Sequence, residues 1–253
     1  MNIPADFQAT TTELKDKVIL ITGAGAGIGK AAALCFAKHG AEVILLGKTT
    51  KKLEAVYDEI MALSSEFAIK EPAIIPLDMK GASKQNYIDM ATTIEQTFGR
   101  LDGLLHNASA LGSIMSFEQF PEDMYQEVMQ VNVNAQFIMT QALLPVLKKS
   151  PSASIIFTSS SVGRKGRAFW APYAISKFAT EGMMQVLADE YDNTKMRFNT
   201  LNPGATATNM RRKAYPAEDP TTLKQPHEIM PTYLYLMSDQ SKGINGQALT
   251  ISR

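Results

Sequence analysis

The chain reads as α/β: a single doubly wound domain with a parallel seven-stranded sheet and helices on both faces. Three observations predict this. Short β-rich runs recur along the chain, most of them apolar throughout, as strands covered on both faces require. Longer helical patterns separate them, and that alternation favours parallel βαβ units. No Pro/Gly/Ser-rich linker, long repeat or low-complexity tract interrupts the order, so the 253 residues, enough for one large domain or two small ones, are read as one.

Taken in order, residues 18–22 form the first strand, an unbroken apolar run ending at a glycine cluster. A helix over 28–39 follows; Ala31-Ala32-Ala33-Leu34-Cys35-Phe36-Ala37 reads as its buried face. The second and third strands fall at 43–46 and 73–77, with helices over 50–63 and 83–98. The fourth strand is 103–106 and the fifth 154–158, joined by a long helical segment over 120–149 that Pro145 should kink or shorten. A helix over 171–192 leads to the sixth strand at 197–201. The last helical segment, 227–238, contains Pro231, which should act as Pro145 does, and the last strand is 247–251.

Composition narrows the function. Apolar residues make up 45%, ordinary for a globular protein with a full core. The 25 basic and 25 acidic residues balance, so no global field favours nucleic acid or a membrane. Cys35 stands alone, which excludes an intrachain disulfide and suits a reducing compartment; its apolar setting reads as a structural thiol. Residues 1–12 lack a positive stretch followed by an apolar one, and no run approaches the roughly 20 apolar residues that span a bilayer. The expectation is a cytoplasmic protein with a loosely held arm over 1–13 and one domain over 14–253.

Two distant sites carry chemistry. Thr22-Gly23-Ala24-Gly25-Ala26-Gly27-Ile28-Gly29 joins the first strand to the first helix. Gly23 permits a tight turn, Gly27 lets backbone approach a phosphate, and Gly29 permits close helix–strand packing. The helix N-terminus then offers free N–H groups and a positive dipole end to a pyrophosphate. A ribose 2′-hydroxyl is usually held by an acid at the end of the second strand, but here Lys48 stands there and Glu42 lies at the other end. Lys48 suits a 2′-phosphate, unless it only opens a solvated helix with Lys51 and Lys52. Far downstream, Tyr173 and Lys177 share one helix face. A phenol titrates near pH 10, and a nearby ammonium lowers that value towards neutrality, where Tyr173 can donate or accept a proton. Ser159, Ser160 and Ser161 follow the fifth strand, where a hydroxyl can polarise a carbonyl.

In their order, these motifs over residues 14 to 251 resemble the short-chain dehydrogenase/reductase family, with its Thr-Gly-x-x-x-Gly-Ile-Gly turn and Tyr-x-x-x-Lys pair. The resemblance implies a Rossmann fold and hydride transfer between NADP(H), rather than NAD(H), and a small carbonyl or alcohol substrate. It selects Ser160 and adds Asn132, giving catalytic positions Asn132, Ser160, Tyr173 and Lys177. Asn132 is implied to bend its helix and hold water in a proton relay to Lys177. The implied cofactor contacts are Gly23, Gly25, Ala26, Gly27, Ile28, Gly29 and Lys48, then Asp78 and Met79 at the end of the third strand. Asn107, Ala108, Pro203, Gly204, Thr206, Thr208, Tyr173 and Lys177 complete them. His106 and Ser109 stand where the family has Asn and Gly, and His106 reads as a packed strand-end residue. The stretches 128–135 and 178–190 are most similar to a bacterial subgroup with no firm substrate.

The competing reading is a catalytically weak nicotinamide-binding sensor on the same fold. No Gly-x-Ser-x-Gly elbow supports a hydrolase, and His39, His106 and His227 form no ligand pair for a metal. The resemblance implies a homodimer through the helix carrying Ala179, Gly182, Met183, Met184 and Val186. A tetramer stays open, because Thr250-Ile251-Ser252-Arg253 replaces the family's usual end. A substrate lid near 208–226 carries Arg211, Arg212 and Lys213. It should face Arg164, Lys165, Arg167, Phe169 and Trp170 across the pocket. Those basic groups either greet an anionic substrate tail, such as that of an acyl thioester, or are solvated or hold cofactor phosphates.

Overall fold

A computed structural model describes residues 7–251. The strands are β1 (Val18–Thr22), β2 (Glu42–Gly47), β3 (Ala73–Pro76), β4 (Gly103–His106), β5 (Ala153–Thr158), β6 (Met196–Asn202) and β7 (Ala248–Thr250). They form one sheet in the order β3-β2-β1-β4-β5-β6-β7, every pair parallel. The helices are α1 (Gly27–Lys38), α2 (Thr50–Ala62), α3 (Lys84–Phe98), α4 (Glu122–Met129), α5 (Ala135–Leu147), α6 (Ala171–Glu190), α7 (Asn209–Ala214) and α8 (Met230–Met237). This is the Rossmann architecture that the alternating pattern predicts.

Side-chain alternation divides the core in two. Ile19, Ile21, Val43 and Leu45 point to the face covered by α1, α2 and α8, where Phe36, Leu53 and Tyr233 meet them. Leu20, Ile44, Leu46 and Phe198 point to the other face, against Tyr87 and Ile94 of α3, Met139 and Leu143 of α5 and Met184 of α6. Met184 is therefore core, whereas its neighbour Val186 is 64% exposed. Among the described residues no helix is long and apolar enough to cross a membrane.

The long segment over 120–149 is not one α-helix. A π turn at Gln130–Asn134 separates α4 from α5, and α5 runs through Pro145 to end at Leu147. Pro231 does not interrupt α8. It sits in the first turn, where its missing N–H costs no hydrogen bond, and a 3₁₀ turn at Pro226–Ile229 precedes it. The helix α7 within the lid segment has no counterpart in the predicted elements. Residues 1–6 of the predicted arm, and Ser252 and Arg253, lie outside the described residues. The described part of the arm is held in place. Phe7 packs edge-on against Tyr235 at 5.0 Å, and Glu13 accepts from Gln240 at 2.9 Å. Cys35 is half-buried and burial pushes its thiol up to about 12, as suits a structural role.

Buried polar ties fix α6 to the sheet. Glu181 accepts from the hydroxyls of Ser159 after β5 (2.5 Å) and Thr200 of β6 (2.7 Å), and from Arg164 Nε (3.0 Å). Arg164 also donates to the Leu249 carbonyl of β7 at 2.8 Å. Removing the guanidinium takes away the cation hydrogen-bonded to this buried carboxylate. Arg164→Ala should lose about 3 kcal/mol of stability in urea unfolding. Arg164→Ala/Glu181→Gln should recover part of that loss; a single variant within about 1 kcal/mol of wild type would show that the tie contributes little.

Candidate active site

The strand order reverses between β1 and β4, and the crevice outside their carboxyl ends is where this architecture binds ligands. Thr22 ties the two ends together. Its hydroxyl accepts from the amides of Asn107 (2.9 Å) and Ala108 (3.0 Å), while the Asn107 side chain donates to the Thr22 carbonyl (3.2 Å). The turn that follows needs glycine. Gly23 has φ +68 and Gly27 φ +55, a left-handed conformation that side chains resist. A Cβ on Gly29 would lie 2.2 Å from the Gly23 carbonyl oxygen, so only glycine lets α1 sit this close to the turn. Gly25 faces Lys52 of α2, where a Cβ would come within 2.9 Å. Gly25 and Gly29 thus shape the loop, while Gly23, Ala26, Gly27 and Ile28 line the crevice.

Two cavities fill this crevice. One of about 340 Å³ is bounded by the glycine turn, Asn107 and Ala108, by Ser160, Tyr173 and Lys177, and by Pro203, Gly204, Thr206 and Thr208. The other, of about 550 Å³, runs past Gly47, Lys48, Asp78, Met79 and Val131. Gly23, Ala108, Asn209 and Met210 line both, so they are halves of one cleft crossed by α7. The cleft fits a dinucleotide. The N-terminus of α1 has no side-chain cap, leaving its first amides free for a phosphate. The buried Ser109 hydroxyl on the wall both cavities share has no protein partner. Lys48 is exposed at the mouth of the second cavity with no carboxylate beside it, whereas Lys80 on the same wall is paired to Glu127. Asp78 and Met79 lie just beyond β3 and not at its last residue; the Asp78 carboxylate accepts from the Lys80 amide at 3.0 Å.

Tyr173, Lys177 and Glu181 follow one another down one face of α6. The Lys177 ammonium is buried, donates to the Thr158 carbonyl at 2.8 Å, and lies 5.4 Å from the centre of the Tyr173 ring. Burial lowers its pKa to about 8, with Glu181 acting the other way. Burial also raises the Tyr173 phenol to about 12, opposed by hydrogen bonding with Ser160. The lowering expected from Lys177 is not seen: burial outweighs the one opposing influence, the Ser160 hydrogen bond. Tyr173 therefore holds its proton at neutral pH.

The Asn132 side chain is held by three hydrogen bonds. It accepts from the Ala110 amide (2.7 Å) and donates to the Ala110 carbonyl (2.8 Å) and the Ser176 hydroxyl (3.0 Å). It ties the loop after β4 to the tyrosine helix, and the π turn around it supplies the reach. His106 is fully buried, stacks on Phe157 at 4.8 Å, and bonds through Nε2 to Thr140 at 2.9 Å. Burial and Lys177 lower its pKa to about 3, so it stays neutral, the packed residue that the sequence suggests. Sequence reasoning missed Glu181, although its spacing from Tyr173 and Lys177 was the available signal.

Of the lid cations, Arg211 is committed to a carboxylate, whereas Arg212 donates to the Asn209 side-chain oxygen at 2.7 Å and Lys213 lines the second cavity. Arg211 donates from Nε and Nη2 to Glu218, both at 2.5 Å, and lies 3.8 Å over the Tyr215 ring. Arg167 donates to the Tyr215 hydroxyl at 2.6 Å. Arg164 points into the Glu181 tie and not to the pocket rim.

Residues 17–219 match the family model for short chain dehydrogenase, and the chain belongs to that family of oxidoreductases. The chain is 50% identical over 240 residues to the Escherichia coli (strain K12) oxidoreductase YciK, covering 95% of this chain and 93% of that protein. A short-chain dehydrogenase structure from Pseudomonas syringae is 54% identical with a TM-score of 0.93, covering 97% of this chain and 98% of that one. One from Shigella flexneri 2a, complexed with NADP, is 48% identical with a TM-score of 0.92, covering 95% and 99%.

The buried lysine sets a pH dependence. Its folded pKa of about 8 lies below the ordinary lysine value of 10.5, so between those values the unfolded chain binds more protons and stability rises with pH. Compared with Lys177→Met, the wild type should gain on the order of 3 kcal/mol between pH 8 and 10.5 in urea unfolding. Parallel profiles for the two proteins would place the ammonium in water.

Proposed function

We propose that the protein transfers a hydride between NADP(H) and a carbonyl or alcohol substrate, with Tyr173 as the general acid/base. The observation that carries this is the convergence of Ser160, Tyr173 and Lys177 on a cavity continuous with the glycine turn. A nicotinamide bound in the cleft supplies the hydride or takes it up. Gly23, Ala26, Gly27 and Ile28 would flank the pyrophosphate, and Lys48 the 2′-phosphate. Ser160 polarises the carbonyl, Tyr173 donates its retained proton to the oxygen, and Lys177 keeps a positive charge beside the phenol. The NADP in the similar Shigella flexneri structure supports the choice of cofactor. The sensor reading predicts binding without turnover, and no feature of the cleft favours it. The exposed Phe137 of α5 and Phe178 and Val186 of α6 support a homodimer through these helices.

Tyr173→Phe should lower kcat by about 10²–10⁴-fold, because only the transferable proton is lost. Its NADPH affinity, read by fluorescence titration, should stay within about twofold of wild type, the phenol making no phosphate contact. Near-wild-type turnover would remove Tyr173 from the chemistry.

Lys48→Ala should weaken NADPH by about 1–3 kcal/mol and leave NADH unchanged, since only the 2′-phosphate is charged at that position. Dissociation constants from calorimetry decide this; equal losses for both cofactors would overturn the assignment.

A further inference from the structure

We propose that the substrate is a compact, uncharged ketone or aldehyde with an apolar body, and that carbonyl compounds carrying an anionic tail are poor substrates. The inference rests on the oxidoreductase reading above and narrows it.

Charge is the first argument. Among the described residues, two charged side chains reach the catalytic cavity, Lys177 and Arg211. Lys177 is buried beneath the tyrosine and bonded to the Thr158 carbonyl. Arg211 is neutralised by two hydrogen bonds to Glu218, and its open face is spent on the Tyr215 ring. Nearby, Arg167 is held by the Tyr215 hydroxyl and Arg164 by Glu181. A carboxylate or phosphate entering this chamber would lose water, and among the described residues that line it there is no uncommitted cation.

The walls give the second argument. Leu111, Trp170 and Ala174 cluster with Tyr173, and Met210 and Ala214 of the lid helix pack against them. The Trp170 ring lies 6.0 Å from that of Tyr173 and 5.7 Å from that of Tyr215. A strained residue sets this wall. Phe169 has φ 72, a left-handed conformation that a residue with a side chain resists. Its carbonyl accepts from the Met115 amide at 3.1 Å, which ties the loop before α6 to the one after β4. The strained turn leaves Phe169 59% exposed and buries the next residue, Trp170, to 9%. The cavity of about 340 Å³ must also receive the nicotinamide end of the cofactor, which limits the size of the carbonyl end seated beside it.

A matched series tests this with the full-length protein and NADPH: cyclohexanone, 4-oxocyclohexanecarboxylate, its methyl ester, and acetoacetyl-CoA. The ketone and the ester should be reduced, with kcat/KM for the free acid lower than for the ester by about tenfold or more. Trp170→Ala should raise KM for cyclohexanone by about tenfold, with Trp170→Phe recovering most of it and NADPH affinity unchanged in both, which shows that the variants are folded. An acid reduced as well as its ester, or a preference for the thioester, would overturn the proposal and leave the oxidoreductase reading standing. NADPH binding with no reduction of any member would reject that reading, and the proposal with it.

Discussion

A buried ammonium is the constraint around which the site is built. Lys177 is 1% exposed, and so large a desolvation must be offset nearby. The Thr158 carbonyl at the end of β5 takes one N–H, and Glu181, one helical turn on, supplies the opposite charge. Packing follows from the same demand. A Cβ on Gly163 would come within 2.7 Å of Lys177 Cβ, so the loop after β5 needs glycine where it meets α6. Glu181 is in turn held by β6 and by Arg164, which reaches β7. The position of the tyrosine thus depends on the last three strands of the sheet.

The opposite wall is set by the two strands at the switch point. One threonine hydroxyl joins β1 to β4, and Asn132 joins the loop after β4 to α6 through Ser176. The glycine-turn end of the cleft and its tyrosine end are therefore parts of one hydrogen-bonded frame. The lid closes this frame with its own ion pair, Arg211–Glu218, and needs no charge from a ligand to hold its shape.

Much of this was legible in the residues. Apolar runs located most of the strands, because a parallel sheet covered on both faces keeps them apolar; β6 is the exception, with Arg197, Asn199 and Thr200 buried within it. The glycine turn and the tyrosine–lysine pair were legible because each is local: its parts lie within a few residues on one element. Contacts between distant segments were not. Nothing near Asn132 shows that its amide is spent on Ala110 and Ser176, and nothing near Arg164 or Arg211 shows that each already has a carboxylate. Pro231 was misread because proline breaks a helix interior yet suits a first turn, and only the true start of α8 distinguishes the two. The phenol was misread because the sequence displays its cationic neighbour and hides its burial.

The central claim is that this cleft passes a hydride from the cofactor to a carbonyl carbon while the protein delivers a proton to the oxygen. Single turnover with NADPH deuterated at the transferable C4 position, read by mass spectrometry of the alcohol, tests it most directly. The account predicts one deuterium on the carbinol carbon, from one face of the nicotinamide only. NADPH that binds but is never oxidised, or label appearing in water and not in the product, would contradict it.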